Sequence, residues 1–135
     1  MKVDYERLIQ LALDARKNAH SPYSNFSVGA SLLCEDGTVY TGCNIENSSF
    51  SETACAERVA IFKAVSEGKR DFSAICIVAG KERITDFVYP CGACRQVLSE
   101  FCKADFEVVL FNGKEHKSIS LDSLLPKSFT SVDIK

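Results

Sequence analysis

No segment of this sequence approaches the roughly 18 apolar residues of a membrane-spanning helix, and no repeat, low-complexity tract or Pro/Gly/Ser-rich linker divides it. Prolines are few and scattered, at positions 22, 90 and 126. An excess of one charge is missing too: 16 Lys+Arg stand against 18 Asp+Glu, which excludes a basic, phosphate-coating protein. The first residues, Met1-Lys2-Val3-Asp4-Tyr5-Glu6, put acids where a secretory signal needs positive charge and then an apolar run, so the chain is expected in the cytoplasm. With 135 residues, 46% hydrophobic and 25% charged, one continuous domain over 1–135 is expected. A chain of this length buries roughly 65 to 70% of its unfolded surface.

Cysteine, by contrast, is abundant, with seven at positions 34, 43, 55, 76, 91, 94 and 102. An odd count without an export signal argues against a disulfide framework and leaves metal binding, catalysis or simple burial.

The apolar spacing Tyr5, Leu8, Ala12, Ala15, Ala19 predicts a helix over 3–19, ending before Ser21-Pro22. Alternation from Phe26 to Cys34 and from Val39 to Ile45 flanks Asp36-Gly37 and predicts a β-hairpin. A two-residue loop there pairs Cys34 with Val39 and Cys43 with Ala30, too far apart for a disulfide, so both cysteines read as small core residues. A helix is expected from near Thr53 to the Gly68 stop with Val59, Phe62 and Val65 as its apolar stripe, followed by a fully buried strand over 73–79 that includes Cys76. A second cysteine-bearing helix follows Pro90, with Ala93, Val97 and Phe101 recurring every four residues. Strands at 106–111 and 116–119 come next, then a short helix at 121–125 capped by Ser120 and ended by Pro126. The strand-helix-strand order implies a parallel crossover, and the fold class is α/β: a mixed sheet of about five strands with helices on both faces.

The informative stretches are Cys55-Ala56-Glu57-Arg58 and Pro90-Cys91-Gly92-Ala93-Cys94-Arg95-Gln96. Cys91-x-x-Cys94 alone has several readings, of which a redox pair and half a zinc site are the sharp ones and simple burial the plain one. Cys55 in the first turn of one helix and Cys91 and Cys94 at the start of another lie where unpaired amides and the helix dipole favour thiolate. Three thiolates suit zinc and leave a coordination position open for water, as in catalytic rather than closed structural sites. Glu57, two residues beyond Cys55, is better placed beside a metal than on it, where a carboxylate serves as general acid and base. Otherwise it is an ordinary first-turn acid. Three thiolates overcompensate one zinc ion, so Arg58 is expected to donate to a sulfur, whereas Arg95 reads as either compensating charge or a solvated surface residue. A thiol oxidoreductase would use Cys91 and Cys94 alone, and a structural zinc module would recruit Cys102, His20 or His116. Neither has a use for Glu57 or for Asn44-Ile45-Glu46.

Together with Phe26-Ser27-Val28-Gly29-Ala30 and Gly42-Cys43-Asn44-Ile45-Glu46-Asn47, these motifs resemble the zinc-dependent cytidine deaminases over essentially the whole chain. Cysteine as first ligand resembles the short, homotetrameric nucleoside branch. The resemblance implies a three-layer deaminase fold and one Zn2+ per chain on Cys55, Cys91 and Cys94. Glu57 becomes the catalytic proton carrier. It further implies substrate contacts from Phe26, Asn44, Glu46, Ala56 and a neighbouring subunit's Phe129; Gln96 is expected near the ligands only from its position beside Cys94 and Arg95. The implied reaction is hydrolysis of cytidine and 2′-deoxycytidine to the uridines and ammonia, a pyrimidine-salvage step. The alternative is deamination of a related aminated nucleoside or a cytosine-bearing antibiotic. The expected partner is a nucleoside, with no nucleic acid and no membrane, bound in active sites shared within a homotetramer.

Overall fold

A computed structural model describes residues 2–134. Its main elements are α1 (Tyr5–Arg16), β1 (Ser27–Cys34), β2 (Val39–Cys43), α2 (Ala56–Ser66), β3 (Phe72–Gly80), α3 (Gly92–Phe101), β4 (Glu107–Phe111), β5 (His116–Ser120) and the single-turn α4 (Leu121–Leu124). The strands form one sheet in the order β2-β1-β3-β4-β5. Only β3 and β4, joined through α3, run parallel; the other neighbours are antiparallel. No helix among the described residues is long and apolar enough to cross a membrane.

The two-residue period of the central strands sorts their side chains into two cores. On one face, Leu8 and Ala12 of α1 pack on Leu33, Ala74, Cys76, Val78 and Val109. On the other, Ala56, Ala60, Ile61 and Ala64 of α2, Leu98 of α3 and Leu121 of α4 cover Ala30, Leu32, Ile75, Ile77, Val108 and Leu110. The expected five-stranded mixed sheet with helices on both faces is present.

Three local expectations are corrected. The first helix spans 5–16 rather than 3–19: Asp4 caps it by accepting from the Arg7 amide at 3.1 Å. At its end the amides of Lys17, Asn18 and Ala19 bond three residues back, and His20 then leaves to pair with Asn44 and Glu46. The hairpin loop holds three residues, Glu35-Asp36-Gly37, with Gly37 at φ +93° and the Cys34 amide donating to the Thr38 carbonyl at 2.8 Å. Leu33 therefore pairs with Val39 and Gly29 with Cys43, one residue from the expected register. All seven cysteines are free; Cys34 is buried in the core and Cys43 only half-buried.

The third correction concerns α2. Its buried side is Ala56, Glu57, Ala60, Ile61 and Ala64, while Phe62 is 52% exposed. The cause lies beneath it: a Cβ on Gly42 of β2 would sit 2.7 Å from the Ala60 nitrogen, so helix and strand approach closely and only small residues fit between them. In α3, similarly, Cys94 and Leu98 are buried, Val97 and Phe101 pack at the margin, and Ala93 is exposed.

Candidate functional site

Two helix N-termini meet on the three-helix side of the sheet. Cys55 is the N-cap of α2 and Cys91 the N-cap of α3, both in extended conformation, and neither side chain caps its own helix. Cys55 was expected inside the first turn. Instead Ala54 and Ile45 exchange two backbone hydrogen bonds of 2.9 Å, which keep the chain extended up to Cys55 and delay the helix. Cys94 lies in the first turn of α3 and is fully buried.

The sulfur of Cys91 is 3.8 Å from that of Cys55 and 3.5 Å from that of Cys94. All three sulfurs lie within 4.8 Å of one another, positioned to bind one metal ion. Three soft donors at two helix N-termini fit zinc, with a fourth position left open. Two residues that a closed structural site could have recruited are engaged elsewhere: His116 stacks on Tyr5 at 4.8 Å, and Cys102 lines a separate hollow with Leu121 and Leu125.

Arg58 supplies the expected cation. Its Nη2 lies 3.4 Å from Cys55 Sγ and 3.5 Å from the Thr53 carbonyl oxygen, and its buried Nε has no protein partner. The hydrogen bond from Cys94, aided by Arg58 and Cys91, brings the Cys55 thiol down to about 5 against the opposing effect of burial. Cys94, which donates to Cys55 and is itself buried, is pushed up. Metal ligation requires thiolates, so binding is coupled to loss of thiol protons.

Beside the sulfurs opens a cleft of about 450 Å³, lined by Ser24, Phe26, Val28, Asn44, Glu46, Thr53, Ala54, Cys55, Glu57, Ile77, Val88, Tyr89 and Cys91. Glu57 is only 4% exposed, and burial, reinforced by the neighbouring Cys55 thiolate, raises its carboxyl to about 7. A carboxyl so placed can hold and return a proton at neutral pH. Phe26, Asn44 and Glu46 converge on the same cleft. Asn44 Oδ1 accepts from the Val28 amide and its Nδ2 donates to the Phe26 carbonyl, each at 2.8 Å, so this amide also aligns the strand entering β1. Glu46 accepts from the amides of Tyr23 and Ser24 and from the Ser24 hydroxyl, which hold its carboxyl below the usual range, the hydroxyl contributing most. No Lys or Arg is among the lining residues.

Cys94 and Arg58 join the sulfur cluster without lining the cleft, and three further expected residues lie outside it. Ala56, the first residue of α2, is fully buried. Phe129 is 59% exposed in the C-terminal segment of its own chain. Gln96 does not bond to the cysteines; its Nε2 donates to the Phe129 carbonyl at 2.8 Å. Conversely, Val28, Thr53, Ile77, Val88 and Tyr89 line the cleft without having been singled out in the sequence. Val88 and Tyr89 sit in an aperiodic loop where only their nearness to Pro90-Cys91 could have flagged them. Lys117 approaches Tyr89 at 5.0 Å and Phe87 at 4.6 Å, bracing that loop against β5.

Comparison with known proteins follows the same lines. The family described as "Cytidine and deoxycytidylate deaminase zinc-binding region" matches residues 2–110. A cytidine deaminase of Sporosarcina psychrophila is 51% identical over 98% of this chain and 96% of its own. Another, from Halalkalibacterium halodurans, is 50% identical over 98% of both chains. The crystal structure of a cytidine deaminase from Burkholderia pseudomallei superposes with a TM-score of 0.87 at 44% identity, covering 94% of this chain and 100% of that one.

Proposed function

The chain belongs to the cytidine and deoxycytidylate deaminase zinc-binding family, and we propose that it hydrolyses cytidine, and 2′-deoxycytidine with it, to the corresponding uridine and ammonia. The single observation that carries this reading is the buried Glu57 carboxyl sharing one cleft with Cys55 and Cys91, whose sulfurs cluster with that of Cys94.

Cys55, Cys91 and Cys94 would hold the zinc ion. When bound, zinc supplies Lewis acidity that makes water nucleophilic near neutral pH. Glu57 accepts a proton from the water that adds to C4 of the pyrimidine and passes it to N3. It then carries the remaining proton, from the new C4 hydroxyl, to the departing amine, so that the C4–N bond breaks, ammonia leaves and C4 keeps the water's oxygen as a carbonyl. A carboxyl titrating at about 7 supports both directions of transfer. Arg58, donating to Cys55, offsets the excess negative charge of three thiolates.

Phe26 offers its ring to the base. Asn44 retains one free amide proton after serving the Phe26 carbonyl, and the Glu46 carboxylate has acceptor positions to spare, so the pair can hold a sugar hydroxyl. Ala56, with its side chain buried, meets substrate only through backbone at the start of α2. The whole chain acts as one catalytic domain in the cytoplasm, where thiol ligands stay reduced. Four copies assemble with Phe129 completing a neighbour's pocket, an arrangement supported by the 71%, 52% and 59% exposure of Phe50, Phe62 and Phe129.

The test is ammonia release by the zinc-loaded protein against a panel of aminated nucleosides, bases and nucleotides. Cytidine and deoxycytidine should lead the panel, and preference for a free base or for an adenine nucleoside would overturn the assignment.

A further inference from the structure

Arg95 follows Cys94 directly, yet its guanidinium bonds to carbonyl oxygens rather than to the sulfurs. Nε donates to the Pro90 carbonyl at 2.7 Å and Nη1 to the Leu124 carbonyl at 2.8 Å. The first acceptor belongs to the peptide that enters Cys91. The second lies at the end of α4, whose Leu121 is 3% exposed and anchored in the core. Of the three cysteines Cys91 is the exposed one, while Cys94 is buried and Cys55 half-buried and bonded to Arg58. Packing therefore does least to orient Cys91, and its side chain makes no capping bond to α3.

We infer that Arg95 is a positioning residue for the metal centre: its fork ties the Pro90–Cys91 peptide to α4 and so aims the Cys91 sulfur, acting through geometry rather than charge. The inference rests on the zinc reading above. Arg58 and Arg95 divide the work. Arg58 donates to a sulfur and offsets charge; both hydrogen-bonded nitrogens of Arg95 point at carbonyl oxygens on two separate segments. A lysine keeps the charge but cannot span two carbonyls with one nitrogen in this way. Partners that orient ligands in this manner typically account for about 10- to 100-fold in metal affinity.

The experiment compares zinc-loaded wild type with Arg95→Lys, Arg95→Ala and, as a remote loss of positive charge, Arg70→Ala. Arg70 bonds the Val65 and Lys69 carbonyls, far along the chain from the cluster. Zinc release into a chromophoric chelator is timed at a temperature where circular dichroism shows each variant folded, and the thiolate-to-metal absorption of the cobalt-substituted forms is recorded. Both Arg95 variants should release zinc about 10- to 100-fold faster and show altered cobalt spectra, with Arg70→Ala like wild type. Wild-type behaviour of Arg95→Lys overturns the geometric role, whether Arg95→Ala is fast, slow or unable to fold. A wild-type chain that takes up no zinc would instead sink the metal reading itself.

Discussion

Cys55 Sγ stands 3.8 Å from Cys91 Sγ across 36 positions of sequence, and each residue is the N-cap of its own helix. One ion bound there ties α2 to α3 at the ends where unpaired amides concentrate, so metal binding and folding are linked. Stripping zinc with a chelator should lower the thermal midpoint. At a free-metal level of 1,000 times the dissociation constant the linkage is worth about 4 kcal/mol. Cys55→Ala should bind less than one zinc per chain; full occupancy with unchanged coordination would mean a different ligand set.

The cleft carries two carboxylates, Glu46 and Glu57, and no Lys or Arg in its lining. A phosphate on the sugar would meet the Glu46 charge without a compensating cation. Deamination of CMP should therefore have a kcat/KM at least about 100-fold below that of cytidine, equivalent to about 2.7 kcal/mol in the transition state. Single-stranded DNA should be inert. Comparable rates on CMP or DNA would contradict the nucleoside assignment.

Phe129 gives a test of the proposed shared site. Its side chain is 59% exposed and its carbonyl is held by Gln96, so the tail is fixed while the ring remains available to a neighbour. Mixing Glu57→Ala chains with Phe129→Ala chains under subunit exchange should raise activity above the sum of the separate variants. A site with intact Glu57 then borrows Phe129 from the other chain. No gain in verified mixed oligomers, or unchanged substrate affinity in Phe129→Ala alone, would remove Phe129 from the site.

Close packing under α2 predicts a structural effect on catalysis. An alanine Cβ at Gly42 would crowd the Ala56 carbonyl and the Ala60 nitrogen, so α2 must shift and take Cys55 and Glu57 with it. Gly42→Ala should cost about 1–3 kcal/mol of stability, the usual range for overpacking, and lower kcat even where the protein is fully folded. An alanine variant with wild-type midpoint and kcat would show that the helix has room to spare.

Much of this was legible in the sequence because chemistry and local pattern agreed. The spacing of Cys55, Cys91 and Cys94 suited two helix starts meeting at one metal, which the sulfur cluster matches, and the apolar run within Phe72–Gly80 read as a buried strand. The failures lie where tertiary contact outweighs local pattern. The Gly37 turn needed three residues rather than two. The α2 stripe was misplaced because alanines, and not its larger residues, face a glycine strand. Gln96 looked like a residue near the metal from its position beside Cys94 and Arg95, but its helix face points it toward the C-terminal segment. Val88 and Tyr89 carried no periodic signal at all.

Glu57→Gln tests the central claim most directly, because it keeps the shape of the side chain and removes its ability to carry a proton. The measurement is kcat for cytidine alongside zinc content and circular dichroism of the same preparation. General acid and base catalysis is worth about 10² to 10⁴ in rate, and a residue serving several transfers should fall at the upper end, with zinc and fold retained. A folded, zinc-loaded Glu57→Gln enzyme within tenfold of wild type would contradict the account and leave Glu57 as an acid that merely complements its helix.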